Sequence, residues 1–119
     1  MEPYKLFDAE YKFACLIWEH EPINSTELVK LSLARLGWKK STTYTVLRKL
    51  CERGILRNEG AVVTAVIKKT EAQQHESQTV VEKAFDGSLP QFLTAFLGGK
   101  KLSKQEAEEL KRIIEEAAK

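Results

Sequence analysis

The sequence predicts a mainly α-helical fold with one small β-hairpin. Apolar residues recur at helical spacing up to residue 54, β-branched residues cluster between residues 55 and 67, and helical spacing then returns. The chain has 119 residues, of which 43% are hydrophobic and 30% charged. This is the composition of a globular protein with one domain, or a small domain plus an appendage.

Two helices are predicted at the start of the chain. Asp8 can cap the first helix, which runs to about His20 before Pro22 breaks it. The segment 24–27, Asn-Ser-Thr-Glu, opens a second helix with its glutamate placed as in a capping box. Gly37 ends this helix because glycine adopts the left-handed terminating conformation readily.

A third helix is predicted from about Ser41 to Gly54. Its apolar residues recur at helical spacing and form one buried face, consisting of Thr43, Val46, Leu47, Leu50 and Cys51. The opposite face carries short hydroxyls and cations, namely Ser41, Thr42, Thr45, Arg48 and Lys49, with Tyr44 on its flank. Residues 55–57 and 61–67 then read as two short strands around an Asn-Glu-Gly turn.

Three further helices are predicted in the second half. Thr70 with Gln73 can cap a helix that runs to about Phe85, and Ser88 and Ser103 cap the next two helices. The last two helices carry apolar stripes made of Leu89, Phe92, Leu93, Phe96 and Leu97 and of Leu110, Ile113 and Ile114. We place the boundary between two functional regions near residue 69, which gives regions 1–69 and 70–119.

Charge is distributed unevenly along the chain. The net charge is only +2, yet residues 35–57 contain seven basic residues and a single acid, Glu52. A basic stripe on an otherwise acidic chain is typical of a nucleic-acid-binding protein, although a solvated face alone can also produce it.

The order of three helices and a hairpin is that of a winged helix-turn-helix, whose third helix enters the major groove of DNA. The predicted DNA-binding residues are Lys39, Lys40, Ser41, Thr42, Tyr44, Thr45, Arg48 and Lys49. Arg48 can bind guanine bidentately and Lys49 suits a phosphate. The hairpin tip at residues 58–61 is expected to contact DNA only weakly. The predicted partner is therefore double-stranded DNA.

Other interpretations of these residues stay open. Ser41 or Thr42 can simply cap the third helix, and Trp38 is expected to pack at the helix junction rather than stack on a base. A winged-helix module that binds an acidic protein instead of DNA is the alternative function. An enzyme is not expected, because neither a phosphate-binding glycine loop nor a nucleophile–histidine set can be recognised.

The two apolar stripes of the last helices need a partner surface, because short helices are marginally stable alone. A second copy of the chain can supply that surface and would give a symmetric dimer. Folding back onto the winged region is the alternative.

Several segments resemble the penicillinase-repressor family, whose members regulate β-lactamase, methicillin resistance and copper export. Residues 10–18, EYKFACLIW, resemble its opening helix, and residues 38–50, WKKSTTYTVLRKL, followed by Arg53-Gly54, resemble its recognition-helix segment. Residues 85–89, FDGSL, and 102–110 resemble its second half. The resemblance covers roughly residues 5–116. It implies a homodimeric transcriptional repressor that binds a palindromic operator, with Ser41, Thr42, Tyr44, Thr45 and Arg48 at the positions that contact DNA.

The resemblance also bears on how DNA is released. In the β-lactam branch a membrane sensor triggers proteolysis at an Asn-Phe bond, so a sensor and protease system is implied as a further partner. The corresponding bond here is Ala95-Phe96, with alanine in place of asparagine. The copper branch uses a C-terminal cysteine cluster, and residues 115–119, EEAAK, contain none.

The remaining expectations concern location and cofactors. The longest apolar run, residues 13–18, is far shorter than the ~20 residues that span a bilayer, and Met1-Glu2-Pro3 lacks a signal-peptide pattern. We therefore expect a cytoplasmic protein. Cys15 and Cys51 are expected to be buried reduced thiols rather than a disulfide or metal pair. No metal or other cofactor is expected, since His20 and His75 are isolated.

Overall fold

The computed structural model describes residues 5–119. It contains six helices and a three-stranded antiparallel sheet in the order β1-β3-β2. In chain order the elements are α1 (Asp8–His20), β1 (Ile23–Asn24), α2 (Ser25–Leu36), α3 (Lys40–Glu52), β2 (Leu56–Glu59), β3 (Val62–Ala65), α4 (Lys69–Phe85), α5 (Leu89–Leu97) and α6 (Lys104–Ala117). The predicted fold class, a winged helix-turn-helix followed by a helical region, is confirmed. Met1-Glu2-Pro3, on which the signal-peptide argument rests, lies outside the described residues.

Three of the predicted N-caps are present in the structure, but Glu27 does not complete the capping box predicted for residues 24–27, and its carboxylate pairs with Lys30 at 3.6 Å instead. The Asn24 side chain accepts a hydrogen bond from the Thr26 amide at 2.8 Å, and Ser88 and Ser103 cap α5 and α6 in the same way. Gly37 ends α2 with a φ of 70°, a conformation that costs glycine little. These caps are local features, so the sequence alone determines them.

Other cap and strand predictions were wrong. Phe7, not Asp8, is the N-cap of α1, and its amide donates to Glu10 at 3.0 Å. Helix α4 begins at Lys69, so Thr70 lies inside its first turn; the Lys68 amide donates instead to Glu71 at 3.2 Å. The second strand of the hairpin ends at Ala65 rather than at residue 67, because the amides of residues 66 and 67 both donate to the Ile55 carbonyl.

The sequence did not predict β1. This two-residue strand pairs with β3, with Ile23 opposite Val63 and Asn24 opposite Val62. Two residues show no periodicity of their own, so only the partner strand, about 40 residues later, defines them. The pairing places the start of α2 directly beside the hairpin.

The chain divides into two compact units, the first ending at Thr79 and the second covering Val80–Lys119. In the first unit α1, α2, α3 and the sheet enclose one apolar core, whose largest buried side chains include Phe13, Ile17, Leu28, Leu50, Ile55 and Val63. In the second unit every residue remains at least partly exposed to solvent. The functional boundary at residue 69, between regions 1–69 and 70–119, remains a proposal.

Candidate nucleic-acid interface

Helix α3 is strongly amphipathic. Thr43, Leu47 and Leu50 are buried against the core, and Val46 and Cys51 are half-buried beside them. The eight predicted DNA-binding residues are all exposed, and they lie together within residues 39–49 at and after the start of this one helix. The helical period therefore separates a packing face from a polar face that faces away from the core.

The first turn of α3 shows that the interpretation of Ser41 or Thr42 as the cap of this helix is wrong. The helix starts at Lys40 with Lys39 as its N-cap, and Lys39 makes no side-chain capping bond. Ser41 and Thr42 lie inside the first turn, so neither is the N-cap. Their side chains are exposed, and the positive end of the helix dipole carries two lysines. This combination is attractive to an anion.

Thr45 has a more restricted chemistry than the sequence indicates. Its hydroxyl donates to the Ser41 carbonyl oxygen at 2.9 Å, one turn back along α3. The hydroxyl hydrogen is therefore occupied within the helix. Thr45 can still offer its methyl group and an acceptor oxygen to a ligand.

The basic residues between positions 35 and 57 fall into two groups. Some form ion pairs within the fold, and the others are available to bind a ligand. The Arg53 Nη1 atom lies 3.2 Å from Glu10 Oε1, both side chains are about four-fifths buried, and Arg53 also donates to the Lys5 carbonyl. Arg57 pairs with Glu59 at 3.6 Å on the exposed hairpin. Within residues 5–119, Lys39, Lys40, Arg48 and Lys49 form no ion pair. Arg35, exposed on α2, likewise forms no ion pair in that range, so four of the five available cations of the stripe lie at the start of α3 or on it.

Replacing Arg53 with alanine is expected to destabilise the fold by about 1–3 kcal/mol, because it leaves the largely buried Glu10 carboxylate without its partner. Urea unfolding followed by far-UV circular dichroism measures the change. Arg57→Ala is the matched control, since its exposed ion pair should contribute less than about 1 kcal/mol. Equal losses of stability for both variants would contradict the structural role of Arg53.

The hairpin supplies the wing beside α3. Its turn consists of Gly60 and Ala61 and not of the predicted segment 58–60, because Asn58 and Glu59 belong to β2. The φ values of Gly60 and Ala61, 57° and 66°, suit a tight two-residue hairpin turn. Leu56 on β2 is buried, and Asn58, two residues on, lines a cavity of about 330 Å³ with Tyr44, Leu47, Arg48 and Cys51 of α3. The wing strand and the predicted DNA-binding face therefore share one concave surface.

The sequence does not indicate the contact that joins the wing to the helix-turn-helix. The Ser25 amide, at the start of α2, donates to the Ala61 carbonyl in the wing turn at 2.8 Å. The Tyr44 hydroxyl donates to the Ser25 side-chain oxygen at 3.5 Å. The only signal available was the predicted start of a helix at this position, which does not indicate its distant partners.

Four other residues considered above, Trp38, His20, Cys15 and Cys51, are not among the predicted DNA-binding residues. Trp38 stacks on Phe13 with ring centroids 5.3 Å apart, which confirms its predicted packing role. His20 Nδ1 lies 2.8 Å from the Leu16 carbonyl oxygen. Cys15 and Cys51 are free and half-buried, and burial, together with the neighbouring Glu52, raises the pKa of the Cys51 thiol. Within residues 5–119 no group of three potential ligand side chains could hold a metal ion.

The predicted dimerisation residues lie on α5 and α6. Leu89, Phe96, Leu110, Ile113 and Ile114 are exposed, while Phe92, Leu93 and Leu97 are half-buried. Phe92 contacts two other rings, Phe85 edge-on at 5.5 Å and Phe96 in a stacked arrangement at 5.8 Å. Ala95 and Phe96, the predicted cleavage position, are exposed in the last turn of α5. None of the helices within residues 5–119 is long and apolar enough to cross a bilayer.

Comparison with known proteins agrees with this architecture. Residues 6–116 match the family model for penicillinase repressors. The chain is 30% identical over 116 residues to the penicillinase repressor of Bacillus licheniformis, covering 94% of this chain and 91% of that protein. It is 20% identical over 115 residues to the methicillin resistance regulatory protein MecI of Staphylococcus aureus strain Mu50, covering 93% and 94% of the two chains. The chain therefore belongs to the penicillinase repressor family, whose members are DNA-binding transcriptional repressors and not enzymes.

Proposed function

We propose that this protein is a homodimeric repressor that binds a palindromic operator in double-stranded DNA, with α3 of each protomer in the major groove. The observation that carries the proposal is the exposed face of α3, where four cations without an ion pair in the described chain lie beside three exposed hydroxyl residues. An amphipathic helix of this kind fits the major groove, which is about 12 Å wide and admits one helix.

The residues of α3 take different roles in this proposal. Lys39 and Lys40 at the helix start and Lys49 at its end neutralise phosphates, which fixes the position of the helix on the duplex. Arg48 reaches a guanine edge, because its planar guanidinium matches two acceptors of that base in the groove. Tyr44 contacts a thymine methyl group or a phosphate. Binding therefore combines a salt-dependent part with a sequence-dependent part.

The homodimer is supported by the second unit. All of its 40 residues are at least partly exposed, and Leu89, Phe96 and Ile113 each leave more than half of their surface exposed. Apolar side chains on two short helices gain most of their stabilisation from a partner surface. A two-fold axis through such an interface sets the two α3 helices one DNA turn, about 34 Å, or a multiple of it apart. The operator would then be an inverted repeat.

Lys49→Ala is expected to weaken binding to every duplex alike, because the phosphate backbone carries no sequence information. The slope of log K against log salt concentration should fall in magnitude by about two for the dimer, since each of its two protomers neutralises one phosphate fewer. Fluorescence anisotropy at several salt concentrations measures this slope. Arg112→Ala on α6 is the control and should leave it unchanged. Weaker binding to only one DNA sequence would contradict the phosphate role of Lys49.

The same titration distinguishes the repressor from the alternative function. A steep salt dependence with preference for one sequence supports the repressor. Absence of binding to any duplex, at every salt concentration, would favour a winged-helix module that binds an acidic protein through the same face.

We further propose that repression is relieved by cleavage between Ala95 and Phe96, which requires a sensor-activated protease that accepts alanine where the family's cleaved bond has asparagine. The bond lies on the exposed surface of α5, and cleavage would remove Phe96, Leu97 and all of α6 from the proposed dimer surface. Mass spectrometry of the protein from β-lactam-treated cells should find a fragment that ends at Ala95. Full-length protein alone, in cells where the regulated gene is switched on, would exclude this mechanism.

A further inference from the structure

We propose that Ser25 is a positioning residue for DNA recognition, which joins the wing turn and the recognition helix α3 at one point. The inference rests on the proposed function and goes beyond it, because Ser25 itself lies on α2 and is only 6% exposed. It contributes no surface for DNA. Its two polar groups act on two different parts of the DNA-binding surface.

The backbone of Ser25 holds the wing. Its amide donates to the Ala61 carbonyl at 2.8 Å, and Ala61 is one of the two residues with positive φ in the turn. As the first residue of α2, Ser25 has no helical acceptor for this amide, so the wing turn satisfies it. Asn24, the residue before Ser25, is paired with Val62, the residue after Ala61, in the antiparallel ladder of β1 and β3. The wing turn is thus fixed relative to the start of α2.

The side chain of Ser25 holds α3. Its oxygen accepts a hydrogen bond from the Tyr44 hydroxyl at 3.5 Å, which joins residues 19 positions apart. Tyr44 lines the cavity between α3 and β2 together with Arg48 and Asn58. The bond is long, so it contributes little to folding. It does restrict the orientation of the Tyr44 ring beside Arg48 before DNA binds, and such preorganisation lowers the entropic cost of binding.

A double-mutant cycle with Ser25→Ala and Tyr44→Phe tests the inference. Ser25→Ala removes the hydroxyl but keeps the amide bond to the wing. It should lower affinity about fivefold, because each of the two protomers loses one hydrogen bond whose contribution lies at the weak end of the usual range. The probe is a duplex enriched from a random pool by the unmodified protein, with a scrambled duplex for comparison. In the Tyr44→Phe background Ser25→Ala should have no further effect, because the two changes remove the same hydrogen bond.

Controls separate positioning from folding. Ser77→Ala removes an exposed serine hydroxyl that bonds a backbone carbonyl in α4, and it should not change affinity. Ser25→Thr keeps the hydroxyl and should restore most of the binding. Circular dichroism should show the same unfolding midpoint for Ser25→Ala as for the unmodified protein within the error of the measurement.

The outcomes are distinguishable. If the unmodified protein binds its enriched duplex and Ser25→Ala binds equally well, or loses the same affinity with and without Tyr44→Phe, the positioning role is wrong and the repressor proposal stands. If the unmodified protein enriches no duplex, the proposed function itself fails.

Discussion

Replacing Phe92 with aspartate is expected to convert the proposed dimer into monomers and to weaken operator binding by about 100-fold or more, because tethered half-sites reinforce each other by factors of about 10²–10⁴. Phe92 lies between Phe85 and Phe96 in the aromatic cluster of the second unit. A charge at this position would have to be desolvated in the interface, which strongly disfavours association. Sedimentation equilibrium measures the mass, expected to fall from twice 13.5 kDa to 13.5 kDa.

Two further variants make this test decisive. Ile113→Asp changes a residue that is already 64% exposed in the single chain, so dissociation of the dimer cannot be attributed to weaker internal packing. Phe7→Asp changes an exposed aromatic residue at the start of α1, outside the proposed interface, and should remain dimeric. An intact dimer for both Phe92→Asp and Ile113→Asp would refute the interface.

Arg48→Ala is expected to reduce affinity for the enriched duplex by about 1–3 kcal/mol per half-site and to relax preference at one base pair of each half-site. Arg48 is exposed on α3, and within residues 5–119 it forms no ion pair, so its guanidinium is available to a base edge. Selection from a random pool with the variant, compared with the unmodified protein, identifies the base pair concerned. Arg112→Ala, an exposed arginine on α6, should leave both affinity and preference unchanged. Unaltered preference in Arg48→Ala would exclude direct readout by this residue.

The sequence predicted most of the helical architecture because its signals are local. The caps at Asn24, Ser88 and Ser103 and the stop at Gly37 each depend on residues within one turn of the helix end. The face of α3 could also be predicted, since a 3.6-residue period separates buried from exposed positions whatever the rest of the chain does. The eight proposed DNA-binding residues therefore lie together as expected.

The features that the sequence did not predict depend on contacts between distant residues. Strand β1 exists only through its pairing with β3. In the sequence Arg53 is one more cation of the basic stripe. In the fold it donates a hydrogen bond to Glu10, 43 positions away, and therefore stabilises the structure. Ser25 likewise reads as part of a helix start, whereas the fold brings Ala61 and Tyr44 to it. Local periodicity and composition contain no information about such pairings.

Selection of binding sites from a pool of random duplexes by the unmodified 119-residue protein distinguishes a dimeric operator-binding repressor from a module that does not bind DNA. A dimeric repressor should enrich an inverted repeat, with half-sites one helical turn of about 10 base pairs or a multiple of it apart, and two of its protomers should bind each duplex. Failure to enrich any sequence, or enrichment of a single unrepeated half-site by a monomer, would contradict it.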